Sequence, residues 1–101
     1  MTSAQFNVAF SALSDPTRRR VLELLRDGPR RAGDLAVLSG VSAPVMSRHL
    51  RVLLAAGIVD DERSPVDARV RLFFLRRETI EALQTWLDDQ GQVITELPAG
   101  L

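Results

Sequence analysis

The sequence predicts a mainly α fold with one small β-hairpin, in the order helix-helix-helix-helix-strand-strand-helix. Three observations predict it. Apolar residues recur at helical spacing through most of the 101 residues. Gly28, Gly40 and Gly57 stand where three of these periodic segments end. One stretch departs from the pattern: Arg69 to Leu75, rich in Val, Leu and Phe, follows a turn of Ser64-Pro65-Val66-Asp67-Ala68.

Each element has its own signal. Ser3 to Leu13 places Phe6, Phe10 and Leu13 at i, i+4 and i+7. Asp15-Pro16 starts a second helix, an N-cap acceptor followed by a proline at the first helical position. That helix runs through Val21, Leu22, Leu24 and Leu25 and stops at Asp27-Gly28-Pro29. A short third helix spans Ala32 to Ser39, with Leu35 and Leu38 apolar and Gly40 behind it. Ser42 caps the fourth, Pro44 fits its first turn, and Gly57 ends it near Ala56. Ile58 to Arg63 and Arg69 to Leu75 form the two strands. The last helix starts near Glu78, carries Ile80, Leu83, Trp86, Leu87, Val93 and Ile94, and is weakened locally by Gly91.

Composition narrows the function. A chain of 101 residues, 46% apolar, fits one domain spanning 1–101. At this size folding hides only roughly 60–65% of the unfolded surface, so a partner subunit adds stability. There is no cysteine, which excludes disulfides and thiolate metal sites. One histidine, no cysteine, no tyrosine and no glycine-rich phosphate loop leave no credible catalytic set, so no enzyme and no cofactor are expected. No run of eighteen apolar residues and no basic-apolar leader occur, so the cytoplasm is expected and no membrane is. The formal net charge of zero hides an asymmetry. From Asp15 to Arg77 thirteen arginines face eight acids, and from Glu78 onward five acids face no base. A basic body and an acidic end suggest two surfaces with different partners.

The segment Ala32 to Ala56 carries the chemistry. Ala36 allows a close helix crossing, Gly40 makes the turn, and Val41 and Met46 fill the space between: helix-turn-helix grammar. On the second of these helices, with about 100° per residue, Met46, Leu50, Leu53 and Leu54 gather on one side. Pro44, Val45, Arg48, Arg51 and Val52 gather on the other, with Ser47 and His49 flanking the apolar stripe. No Glu or Asp occurs from Ser42 to Val59. A helix that reads DNA needs such a face, because phosphate repels carboxylates and arginine grips guanine bidentately. Arg63, Arg69 and Arg71 flank the hairpin turn, where they could reach phosphates or an adjacent groove.

Two strings resemble a known family. Leu13-Ser14-Asp15-Pro16-Thr17-Arg18-Arg19-Arg20-Val21-Leu22-Glu23-Leu24-Leu25 is one. The other is Val41-Ser42-Ala43-Pro44-Val45-Met46-Ser47-Arg48-His49-Leu50-Arg51-Val52-Leu53, followed by Ala55-Ala56-Gly57-Ile58-Val59. Both resemble ArsR/SmtB-type winged helix-turn-helix repressors, over roughly residues 6–87. The resemblance implies a dimer that binds an inverted-repeat operator and dissociates on a signal. Its DNA-binding residues would be Ser42, Ala43, Pro44, Val45, Ser47, Arg48, His49, Arg51, Arg63, Arg69 and Arg71. Two departures stand out. Ala43 replaces a glutamine common in the family. The stretch Arg31 to Val37 and the last helix also lack the family's cysteine and histidine metal ligands. The resemblance therefore implies a member without the cysteine metal site.

Other assignments stay open at this stage. His49 either contacts DNA, buttresses its helix, or is an incidental half-buried histidine. Phe6, Phe10, Leu83, Trp86 and Leu87 exceed what so small a core can cover, which predicts a homodimer through the first and last helices; alternatively Trp86 caps the monomer core. The partners expected are a double-stranded DNA operator and a second copy of the chain. The signal could be a small molecule, a protein, or the protein's own concentration. The competing reading is a winged-helix protein-interaction module without DNA binding.

Overall fold

A computed structural model describes residues 1–95, with side chains through Gln92. The predicted elements appear in the predicted order: α1 (Ser3–Ala12), α2 (Pro16–Leu25), α3 (Ala32–Ser39), α4 (Ala43–Ala55), β1 (Val59–Arg63), β2 (Arg71–Leu75) and α5 (Arg77–Thr95). This is a winged helix-turn-helix. The side chains of Val93 and Ile94, expected on the last helix, lie outside the described residues.

Local chemistry sets most boundaries. Asp15 accepts from the backbone N–H groups of Thr17 and Arg18 (2.8 and 3.1 Å), and Pro16 opens α2. Ser42 accepts from Val45 N–H at the start of α4. Gly40 (φ 68°) and Gly57 (φ 71°) adopt the left-handed conformation that ends α3 and α4. In both, the next residue closes the cap: Val41 N–H donates to Ala36 O and Ile58 N–H to Leu53 O, each at 3.1 Å. α1 has a capping box between Thr2 and Gln5 that the sequence analysis does not anticipate.

The hairpin is antiparallel, with Val59 opposite Leu75 and Arg63 opposite Arg71. Its second strand starts two residues later than expected. Arg69 and Val70 belong to the turn, where Val70 N–H bonds to Asp67 O and Ser64 N–H to Val70 O. β2 also has a second neighbour. Arg30, just before α3, exchanges two backbone hydrogen bonds with Phe73 (3.0 and 2.8 Å). This bridge ties the hairpin to the helix-turn-helix and fixes where its arginines sit relative to α4.

The core lies where α2, α3 and α4 meet the base of the hairpin. Val21, Leu35, Met46, Leu53, Ile58 and Val59 are its largest fully buried side chains. Ala36 is buried at the α3–α4 crossing, as its size predicts. Of the two apolar residues noted on α3, Leu35 is buried and Leu38 is exposed.

Candidate nucleic-acid interface

α4 presents the face expected of it. Met46, Leu50 and Leu53 anchor it in the core, while Ser42, Ala43, Pro44, Ser47, Arg48 and Arg51 are exposed. Neither Arg48 nor Arg51 has an ion-pair partner among the described residues. Val45 corrects the helical-wheel reading: at the third residue of α4, where its N–H is held by the Ser42 cap, it is half-buried, not exposed.

His49 is half-buried and does not join the arginine face. Its Nδ1 lies 3.2 Å from Arg18 Nη1. A guanidinium can only donate, so Nδ1 is the acceptor and the ring proton sits on Nε2. Arg18 also donates to the carbonyl of Ala12. The geometry is that of a buttress: Arg18 holds the middle of α4 against the end of α1 and the start of α2. Sequence reasoning leaves Arg18 without this supporting role. Partial burial pushes the Asp15 carboxyl up, but hydrogen bonds from the Arg18 and Thr17 N–H groups, with the charge of Arg18, hold it below the usual carboxylate range.

The hairpin arginines have a different environment. Arg69 is forked onto Asp67 (Nε–Oδ1 3.1 Å, Nη2–Oδ2 3.0 Å). That bidentate contact, with the Arg69 N–H, lowers the Asp67 pKa and raises that of Arg69. Arg71 donates through Nε to Asp61 and lies 4.9 Å over the Phe73 ring. Arg63 is exposed. The hairpin is therefore not a basic element in the sense the sequence suggests. Arg51, Ser47 and Arg71 nevertheless come together. They line one cleft of about 280 Å³ with Ala32, Leu50, Leu54 and Phe73.

The residues expected at a dimer contact divide. Leu83 is only 6% exposed, so it is filled by the chain's own core and is removed from that set. Phe6, Phe10 and Trp86 form an aromatic cluster within one chain, with ring centroids 5.4 to 6.3 Å apart, that joins α1 to α5. Trp86 still leaves 40% of its surface exposed and Leu87 leaves 54%. Among the described residues, no three His, Asp or Glu side chains gather as a metal site, and no helix is long and apolar enough to cross a membrane.

Known proteins share both sequence and fold with this chain. Residues 15–61 match the bacterial regulatory protein, arsR family. The chain is 46% identical over 57 residues to the transcriptional repressor SdpR of Bacillus subtilis (strain 168), covering 56% of this chain and 63% of that protein, somewhat under two thirds of its length. The crystal structure of an ArsR family transcriptional regulator, RHA00566, superposes with a TM-score of 0.81 at 30% identity, over 97% of this chain and 98% of that one. The solution structure of the homodimeric winged helix-turn-helix domain of Mb0332 from Mycobacterium bovis superposes with a TM-score of 0.70 at 20% identity, over 97% and 88%. The match covers the helix-turn-helix, and the superpositions extend it to the hairpin and both terminal helices: the chain belongs to the ArsR family of winged helix-turn-helix transcriptional regulators.

Proposed function

We propose that the protein is a homodimeric repressor that reads an inverted-repeat operator with α4 and does not respond to metal ions. One observation carries the reading. The exposed face of α4 offers Ser47, Arg48 and Arg51, with no acid from Ser42 to Val59 and, among the described residues, no carboxylate holding either arginine. Such a face suits a major groove, where arginine discriminates guanine and Ser47 accepts or donates. An interaction module for a basic or neutral protein surface would have no need to stay free of acids. The similarity to a repressor by name, and to a domain described as homodimeric, supports the repressor and dimer parts. The lack of cysteine and the single histidine support indifference to metals.

The test is a footprint and an affinity titration on the DNA upstream of the protein's own gene, beside a duplex of arbitrary sequence. Arg48→Ala or Arg51→Ala is expected to cost about 1–3 kcal/mol on the operator and much less on arbitrary DNA. Stoichiometric zinc, nickel or cadmium should leave operator affinity within about twofold, well inside the tenfold that 1.4 kcal/mol represents. A protein that protects no sequence, or whose α4 variants bind like wild type, would sink the DNA-reading assignment. A reproducible tenfold loss with one metal would sink the metal-indifferent part alone.

A further inference from the structure

The hairpin of a DNA-binding wing is expected to add positive charge, and this one does not. Residues 59–75 hold Asp60, Asp61, Glu62 and Asp67 against Arg63, Arg69 and Arg71, so acids outnumber bases by one. Two of the three arginines are also committed within the hairpin itself. Arg69 is forked onto Asp67, and the Asp67 carboxyl additionally feels the charge of Arg31. Arg71 crosses the ladder to Asp61, whose partner in register is Phe73, and its guanidinium is stacked over that ring. On α4 the situation is reversed, with two arginines and no acid.

We propose that Asp61 and Asp67 are specificity-determining residues: by holding Arg71 and Arg69 they keep the wing from gripping DNA of any sequence, and leave discrimination to α4. The inference rests on the DNA-binding reading above. Affinity for arbitrary DNA comes almost wholly from cations that displace counterions from phosphate. An arginine forked onto a carboxylate releases fewer counterions, and its acid is carried toward the phosphate with it. Base contacts from Arg48 and Arg51 do not suffer this loss. The two acids thus subtract more from binding to arbitrary DNA than from binding to the operator, which widens the ratio between them. The position of Arg71 sharpens the point. It shares its cleft with Ser47 and Arg51, so Asp61 sets how much positive charge stands beside the reading face.

The experiment measures binding of wild type, Asp61→Asn, Asp67→Asn and Glu62→Gln to a short duplex of arbitrary sequence and to the upstream duplex, across about 50 to 200 mM salt. Glu62 is the control, an exposed acid on the same hairpin with no ion pair among the described residues. Asp61→Asn and Asp67→Asn are expected to bind the arbitrary duplex about threefold to tenfold tighter, with a log–log salt slope steeper by about 0.9 for each arginine that gains a phosphate. Operator affinity should rise less, so the specificity ratio falls. Glu62→Gln should change arbitrary binding by less than about twofold. The inference is overturned if the two aspartate variants bind no tighter than wild type, or no tighter than Glu62→Gln. A wild type that binds neither duplex at the lowest salt overturns the DNA-binding reading and this inference together; a wild type that binds, matched by its variants, overturns the inference alone.

Discussion

Asp15 and His49 lie on the two sides of Arg18, and only one of them is readable from its neighbours in sequence. Asp15 acts on the residues that follow it, so its cap is legible from Asp15-Pro16-Thr17-Arg18. It also carries a pH signature. Its folded pKa is lowered, so its contribution to stability is present above the unfolded value of about 3.9 and is lost as pH falls through the lower folded value. The loss of thermal stability caused by Asp15→Ala should therefore be constant from neutral pH down to about 5 and shrink below about 4. Asp15→Asn should keep most of the cap, because an amide oxygen also accepts from Thr17 and Arg18, and should lose the acid dependence. Thermal melts across that range check this; a wild-type advantage that grew toward acid would contradict the cap's sign. The role of His49 was not legible, because its partner Arg18 is 31 positions away. Periodicity put His49 at the edge of the apolar stripe, and only the packing of α4 on α2 chooses between contact with DNA and support of the helix.

At the scale of elements, legibility followed locality. The bounds of α3 and the stops at Gly40 and Gly57 come from interactions within six residues, and the sequence marks each, though it expects the left-handed conformation only at Gly57. The Arg30–Phe73 bridge joins segments 43 residues apart and left no periodic trace, so the hairpin's second neighbour was missed. The charge of the hairpin departs from the sequence expectation for a related reason. Its arginines were visible one by one, but Asp61 faces Arg71 only once the register is set. Two glycines give opposite predictions. An added Cβ at Gly57 would meet nothing closer than Arg76 Nη1 at 3.9 Å, so space is not the obstacle; its φ of 71° is. Gly57→Ala should cost about 1–2 kcal/mol through backbone strain alone. The sequence expects Gly91 to weaken the last helix locally and leaves its far end open; α5 continues through Gly91 to Thr95, with open space around the position. Gly91→Ala should stabilise by about 0.4–1 kcal/mol. Urea denaturation at one fixed protein concentration checks both, and a stabilising Gly57→Ala would show that the left-handed cap is not needed.

The whole molecule is longer than its mass suggests. Its radius of gyration is 16.3 Å and its extents are 59 × 26 × 25 Å, against about 13 Å for the radius of a compact domain of this length. The elongation comes from α5, whose 19 residues span about 28 Å. Its first turns are held by Ile80, Leu83 and the Phe6–Phe10–Trp86 cluster. Beyond them Leu87 is 54% exposed on a helix that reaches past the body. A surplus of apolar surface was legible in the sequence; how much of it one chain covers was not, since that depended on Leu83 packing inward and on three rings meeting. What is left, the outer face of Trp86 and Leu87 beside α1, is the surface we propose for a second copy. Leu87→Asp tests this without touching the core: sedimentation at micromolar concentration should give a two-chain mass for wild type and one chain for the variant, with helical content retained. Salt adds an independent sign. Asp88 and Asp89 directly follow Leu87, and no base follows Arg77, so two α5 helices brought together repel each other through their acids. Screening relieves that repulsion. Raising salt should therefore hold or tighten the dimer while it weakens DNA binding. A wild type that stays monomeric yet binds a full operator, or a dimer that dissociates as salt rises, would place the second copy elsewhere.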